Sequence, residues 1–137
     1  MKKLLAIILF FYGNYVLGQD IVDTIIPKTD TIGRLYTLVE ERPRFPGGDT
    51  AMFKFLRENI KYPAKARRKG IMGKVFIAFI VENTGKVTDI KLLRGVSKEI
   101  DEEALRVIKL MPDWIPGKQN GRAVNVQQTL PINFTLT

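Results

Sequence analysis

Val124-Asn125-Val126-Gln127-Gln128-Thr129-Leu130-Pro131-Ile132-Asn133-Phe134-Thr135-Leu136 reads as a strand with one dry face and one wet face. Val124, Val126, Leu130, Ile132, Phe134 and Leu136 fall on even positions, and only Gln128 breaks that face. The odd positions are all polar or proline. Such a period of two is the signature of a half-buried strand. Pro131 cannot donate to a ladder, which confines the strand to a sheet edge or a bulge. An edge presents unpaired N–H and C=O groups, and soluble proteins usually blunt it with charge. No charged residue occurs from residue 123 to residue 137.

Upstream, Val75-Phe76-Ile77-Ala78-Phe79-Ile80-Val81 is an unbroken β-branched and aromatic run. A run of that kind marks a strand covered on both faces, or nearly so. Asn83-Thr84-Gly85-Lys86 supplies a hairpin loop, and Val87–Leu93 returns with apolar positions near period two. The spacing predicts an antiparallel hairpin over residues 73–95. A helix follows at roughly 98–111, with Ile100, Ala104, Val107, Ile108 and Met111 on one face. Its acids come early (Glu99, Asp101, Glu102, Glu103) and its bases late (Arg106, Lys109), the order that suits the helix dipole. Pro112 ends it, and Trp114 is expected to plug the helix end into the core. Gly117, Asn120 and Gly121 then shape the loop into the last strand.

Before the hairpin, Phe45-Pro46-Gly47-Gly48 is a turn with Asp49 as the expected N-cap of a helix. Met52, Phe53, Leu56 and Ile60 recur at helical spacing, which makes Phe53 and Phe55 packing residues. Pro63 opens a second short helix that Gly70 closes. Lys65, Arg67, Arg68 and Lys69 form a basic face on it.

A hairpin, a crossover helix and a final strand yield a simple topology. The last strand lies antiparallel beside the first arm, a three-stranded antiparallel sheet in the order 2-1-3. Helices cover one face, so the fold class is α+β with two layers, and the last strand is an edge. The domain organisation expected is residues 1–18 as a signal peptide, 19–44 as a flexible tether and 45–137 as the folded domain. Within the tether, Leu35–Val39 is β-prone but too short to assign. As a strand it would cover the edge beside Val124–Phe134.

Composition narrows function. The 137 residues are 45% hydrophobic and 26% charged, with no histidine, no cysteine and Ser97 as the sole serine. A Ser-His-Asp triad, a Cys-His pair and a histidine-ligated zinc site are therefore impossible. The acids sit mostly on solvated helix or loop positions, so no catalytic residue, cofactor or metal site is expected. Lys2-Lys3, the apolar run Leu4–Tyr12 and Val16-Leu17-Gly18 compose a secretory signal with cleavage ahead of Gln19. Gly13 and Asn14 interrupt the run well short of the roughly 20 residues a span needs. A short uncleaved anchor is the alternative. Without Lys2 and Lys3, 20 basic and 14 acidic residues leave a net charge of +6. Export and the lack of an aromatic-interleaved basic patch argue against nucleic acid.

Over residues 62–136 the sequence resembles the C-terminal domain of the TonB family. The resemblance rests on Tyr62-Pro63, Ala66, Gly70, Gly73, Val75, Phe79, Val81, Gly85, Ile100-Asp101, Ala104, Trp114, Pro116-Gly117, Gly121, Val124, Pro131 and Phe134 in that order. It implies a periplasmic module that grips the TonB-box segments of outer-membrane transporters by strand addition. Carried over by position, Val124, Asn125, Val126, Gln127, Gln128 and Thr129 would supply the backbone pairing. The reading preferred on these grounds is a soluble periplasmic adaptor or regulator. A transducer anchored by an uncleaved N-terminus, with inner-membrane motor subunits as partners, is the second. The third is a structural homodimer through paired edges.

Overall fold

The computed structural model describes residues 34–137. The expected signal peptide and the tether up to residue 33 lie outside the described residues. The elements are β1 (Leu35–Tyr36), α1 (Gly48–Asn59), α2 (Ala64–Arg68), β2 (Gly73–Val81), β3 (Val87–Arg94), α3 (Lys98–Lys109), β4 (Gly117–Gln119) and β5 (Arg122–Phe134).

Strand β2 is the centre of the sheet because its sequence is apolar on both faces. Val75, Ile77, Phe79 and Val81 are fully buried against the helix layer, and Ala78 is buried on the opposite face. Their partners from the helices are Met52 and Leu56 of α1, Ala66 of α2, and Ile100, Ala104, Val107 and Ile108 of α3. Burying one such aliphatic or aromatic side chain contributes roughly 1.5–3 kcal/mol. Ser97 caps α3 by accepting from the Ile100 N–H at 3.4 Å, and the helix stops before Pro112 as its sequence requires. At α1 the expected cap differs. Gly47, in a left-handed conformation, occupies the N-cap, while Asp49 lies within the first turn.

The three-stranded antiparallel expectation is corrected. The sheet has five strands and is mixed, in the order β1-β5-β2-β3, with β4 paired to β5. The hairpin arms and the last strand do lie as β3-β2-β5 and are antiparallel. Two short strands are added to these three, one within the β-prone stretch Leu35–Val39 and one, β4, that the sequence reading leaves in a loop. β1 runs parallel to β5, pairing Leu35 with Asn125 and Tyr36 with Val126. β4 pairs Gly117–Gln119 with Arg122–Val124 through the turn Asn120-Gly121, where both residues have positive φ. An Asn-Gly pair at the centre of a two-residue turn is the strongest short-range hairpin signal, so β4 had a legible cue.

Trp114 joins the layers, as its sequence position suggests. It is buried, meeting Phe79 edge-on with ring centroids 5.3 Å apart and Phe45 at 5.8 Å. Its backbone N–H donates to the Gly85 carbonyl at 2.7 Å, fastening the chain after α3 to the β2–β3 loop. Gly85 has φ +92, and a Cβ there would stand 2.1 Å from the Trp114 carbonyl oxygen. Gly85→Ala combines backbone strain with that collision. Urea unfolding should show a loss of about 2–3 kcal/mol, and an unchanged midpoint would contradict the packing described.

Candidate functional site: the outer edge of β5

The two flanking strands of the β3-β2-β5 ladder are built differently. β3 pairs with β2 through two register shifts, one between Phe76 and Ile77 and one between Ala78 and Ile80. Each leaves an extra residue on β3, and Asp89 at the second has φ 49. Bulges bend a strand and interrupt its pairing surface. β3 also carries Asp89, Lys91 and Arg94, and an exposed Lys91–Asp89 ion pair of 3.3 Å sits on it. Bulges and charges are the ordinary defences of an edge.

Beyond Val126, β5 has neither a bulge nor a charge. Its register with β2 is continuous over nine pairs, from Gly73↔Phe134 to Val81↔Val126. Val126 pairs with Val81 on one side and Tyr36 on the other, so β1 lies on the outer side and covers Asn125–Val126. Beyond it, Gln127–Phe134 have no outer partner strand among the described residues. Gln127, Thr129, Pro131 and Asn133 have exposed side chains there.

The six residues singled out from sequence fall into two groups. Val124, Asn125 and Val126 are engaged by β4 and β1. Val124 and Val126 are buried with Tyr36 in a small separate core flanked by Val39. The Asn125 side chain accepts from the Asn83 N–H at 2.8 Å, tying β5 to the hairpin loop. Gln127, Gln128 and Thr129 pair only with β2.

The segment leading from β1 into the domain is stitched in place. Glu41 and Lys118 exchange backbone hydrogen bonds of 3.1 and 2.9 Å, and Arg44 and Ile115 exchange bonds of 3.0 and 2.8 Å. The Glu40 N–H donates to Gln119 Oε1 at 3.0 Å. Residues 40–44 thus form a strap along β4 that holds β1 over Asn125–Val126.

A cleft of about 500 Å³ borders the open part of β5. It is lined by Phe53, Leu56 and Arg57 of α1, by Ile60 just after that helix, by Tyr62, and by Pro131–Thr135. Phe53 is 56% exposed. This corrects the expectation that it is a packing residue, whereas Phe55 does pack on Phe45 at 5.5 Å. The signal for this was helical spacing: Met52, Leu56 and Ile60 form one i, i+4 row, and Phe53 and Arg57 form the row on its flank. The floor near Tyr62 is fixed by its edge-on contact with Phe134 at 5.9 Å and by its hydroxyl, which donates to the Ile71 carbonyl. Arg67 lies over the same ring at 5.5 Å, and Lys65 pairs with Glu99 at 3.2 Å, which accounts for half of the basic face of α2.

The far end of α1 is clamped to α3. Arg106 donates to the Asn59 carbonyl at 2.8 Å and to Glu103 at 2.6 and 2.8 Å, while Glu103 also accepts from the Lys61 N–H at 2.6 Å. The Arg106 guanidinium holds the Glu103 carboxyl below the usual carboxylate range.

Two layers with one blunted and one open edge define a small α+β domain in which, among the described residues, the open part of β5 is the regular and uncharged edge. The sequence model of the family described as the Gram-negative bacterial TonB protein C-terminal matches residues 58–136, and the chain belongs to that family. Membership implies a role in TonB-dependent transport. Among solved structures, the chain is similar to the NMR structure of the Helicobacter pylori TonB C-terminal domain, at 26% identity and a TM-score of 0.50. That match covers 64% of this chain and 79% of the other. A shorter piece of the H. pylori domain matches at 26% identity and a TM-score of 0.49, covering 63% and 90%. The Pseudomonas aeruginosa TonB C-terminal domain matches at 28% identity and a TM-score of 0.46, covering 56% and 77%. No curated protein gives a significant match.

Tyr36→Ala should loosen β1 without disturbing the main core. Amide hydrogen exchange in Asn125–Val126 is expected to quicken about tenfold or more, with the β2 amides from Val75 to Phe79 unchanged. Equal exchange in both proteins would mean that Tyr36 does not hold the strap.

Proposed function

We propose that this chain is a periplasmic module that receives the TonB-box segment of an outer-membrane transporter as an added strand. The receiving edge is the outer side of β5 from Gln127 to Asn133. The observation that carries the reading is the contrast between the edges: β3 is bulged and charged, and β5 beyond Val126 is regular and uncharged. Apart from Pro131, which has no N–H to give, this edge offers its main-chain groups at constant spacing, which is what an extended peptide needs for β-augmentation. Within the span read from sequence, Gln127, Gln128 and Thr129 receive the peptide. Val124, Asn125 and Val126 join only if the strap leaves.

Recognition through the backbone tolerates sequence change, so one module can serve transporters that share little beyond an extended segment. The form proposed is a soluble adaptor or regulator, resting on the signal sequence read at the N-terminus. Among the described residues, no helix is long and apolar enough to cross a membrane. No chemistry is assigned to the module: it holds a partner and performs no reaction.

Titration of the isotope-labelled mature chain with a synthetic TonB-box peptide from an outer-membrane transporter of the host tests this. Amide shifts and new exchange protection are expected along Gln127–Asn133, with none along β3. Thr129→Lys gives β5 the charge that Lys91 gives β3 and should weaken binding about tenfold. Shifts along β3 would refute the assignment. So would a concentration-dependent dimer mass with no response to peptide, which would favour two edges pairing with each other.

A further inference from the structure

Strand addition fixes a partner's backbone but says little about which partner is chosen. The cleft beside β5 is placed to make that choice. Its β5 wall consists of four consecutive residues, Pro131–Phe134, of both parities, continued by Thr135, and no residue of β2 lines it. A space that touches both faces of one strand, but not that strand's neighbour, lies along the free edge. An added strand would run about 4.8 Å from β5, with alternate side chains directed to opposite faces of the sheet. Those on the helix side would enter the space between β5 and α1.

The chemistry of the cleft is uneven. Phe53, Leu56, Ile60, Tyr62, Pro131, Ile132 and Phe134 make it mostly apolar, and Arg57 is the single charged group lining it. Arg57 has no ion-pair partner among the described residues, although the Lys54–Glu58 pair lies on the same helix. An exposed phenylalanine beside an unpaired guanidinium is a surface suited to an apolar side chain with a carboxylate nearby. The helix that carries both residues precedes most of the family match, which begins at residue 58. Phe53, Leu56 and Arg57 thus lie outside the matched residues.

We propose that α1 and the end of β5 form a side-chain-reading subsite, selecting extended peptides that carry an apolar residue toward α1 and an acidic residue within reach of Arg57. This rests on the strand-addition reading of β5 and adds specificity to it. The clamp from Arg106 and Glu103 to Asn59 and Lys61 ties the end of α1 to α3.

The test uses the mature chain and capped nonapeptides of alternating leucine and threonine carrying one glutamate at either end. Binding is followed by fluorescence anisotropy and mapped by amide shifts. Serine in place of the leucines should weaken binding by about tenfold or more, the scale of burying an aliphatic side chain. Lysine in place of glutamate should weaken it about threefold to fivefold. Arg57→Glu should reverse the preference between the glutamate and lysine peptides, and Phe53→Ser should abolish the preference for leucine over serine. Both side chains are exposed, so thermal melting is expected to show folded variants. If the peptides shift Gln127–Asn133 but neither substitution alters the preferences, the subsite is wrong and the strand-addition reading stands. If no peptide shifts Gln127–Asn133, both fall.

Discussion

The ladder between β2 and β5 is the constraint on which the rest of the structure depends. It runs without a register shift over nine pairs, so the buried faces of both strands stay in step along their length. A slip of one residue would turn every side chain of β5 to the other face. Leu130, Ile132 and Phe134 would then leave the core, and Gln127, Thr129 and Asn133 would enter it. The apolar alternation of β5 and the doubly apolar sequence of β2 make that slip costly. The same regularity leaves the outer side of β5 straight enough to pair again.

That ladder also explains why the edges differ. β3 joins β2 on the other side and bears the irregularities, with two bulges, a left-handed Asp89 and charged side chains that suit solvent more than another strand. β5 accommodates Pro131 without losing register. Among the described residues its outer side is closed only where β1 lies, because Tyr36 finds a small core with Val124 and Val126. Coverage of the first part of the edge and exposure of the rest follow from one buried tyrosine and from the strap that holds it.

Much of this was written in the sequence. The period of two in β5, the continuous run in β2, the Ser97 cap and the acid-to-base order of α3 each state a local preference that tertiary packing reinforces. The parts that were hidden depend on partners distant in the chain. Leu35-Tyr36 is too short to declare itself a strand, and it becomes one only because Asn125–Val126 offer a parallel register and Val124 and Val126 offer a pocket. Phe53 was harder still. Beside Met52 and Leu56 it looks like core, and only the width of the face that α1 buries decides that it lies outside. Asn120-Gly121 is the opposite case, a two-residue hairpin signal plain in the chain. The edge itself was legible, while the division of Val124–Thr129 into covered and open halves was not.

The absence of cysteine from the chain allows a direct test of the open edge in its own compartment. Single cysteines would be placed at Gln127, Thr129 and Asn133 on β5, and at Thr88, Leu92 and Arg94 on β3. Each is paired with a cysteine scanned through the TonB box of an outer-membrane transporter. In the oxidising periplasm, disulfides should form at the β5 positions, in a register that advances with the scanned residue, and not at β3. Cross-links at β3, or cross-links only between two copies of the chain at β5, would contradict the claim that this edge receives the transporter.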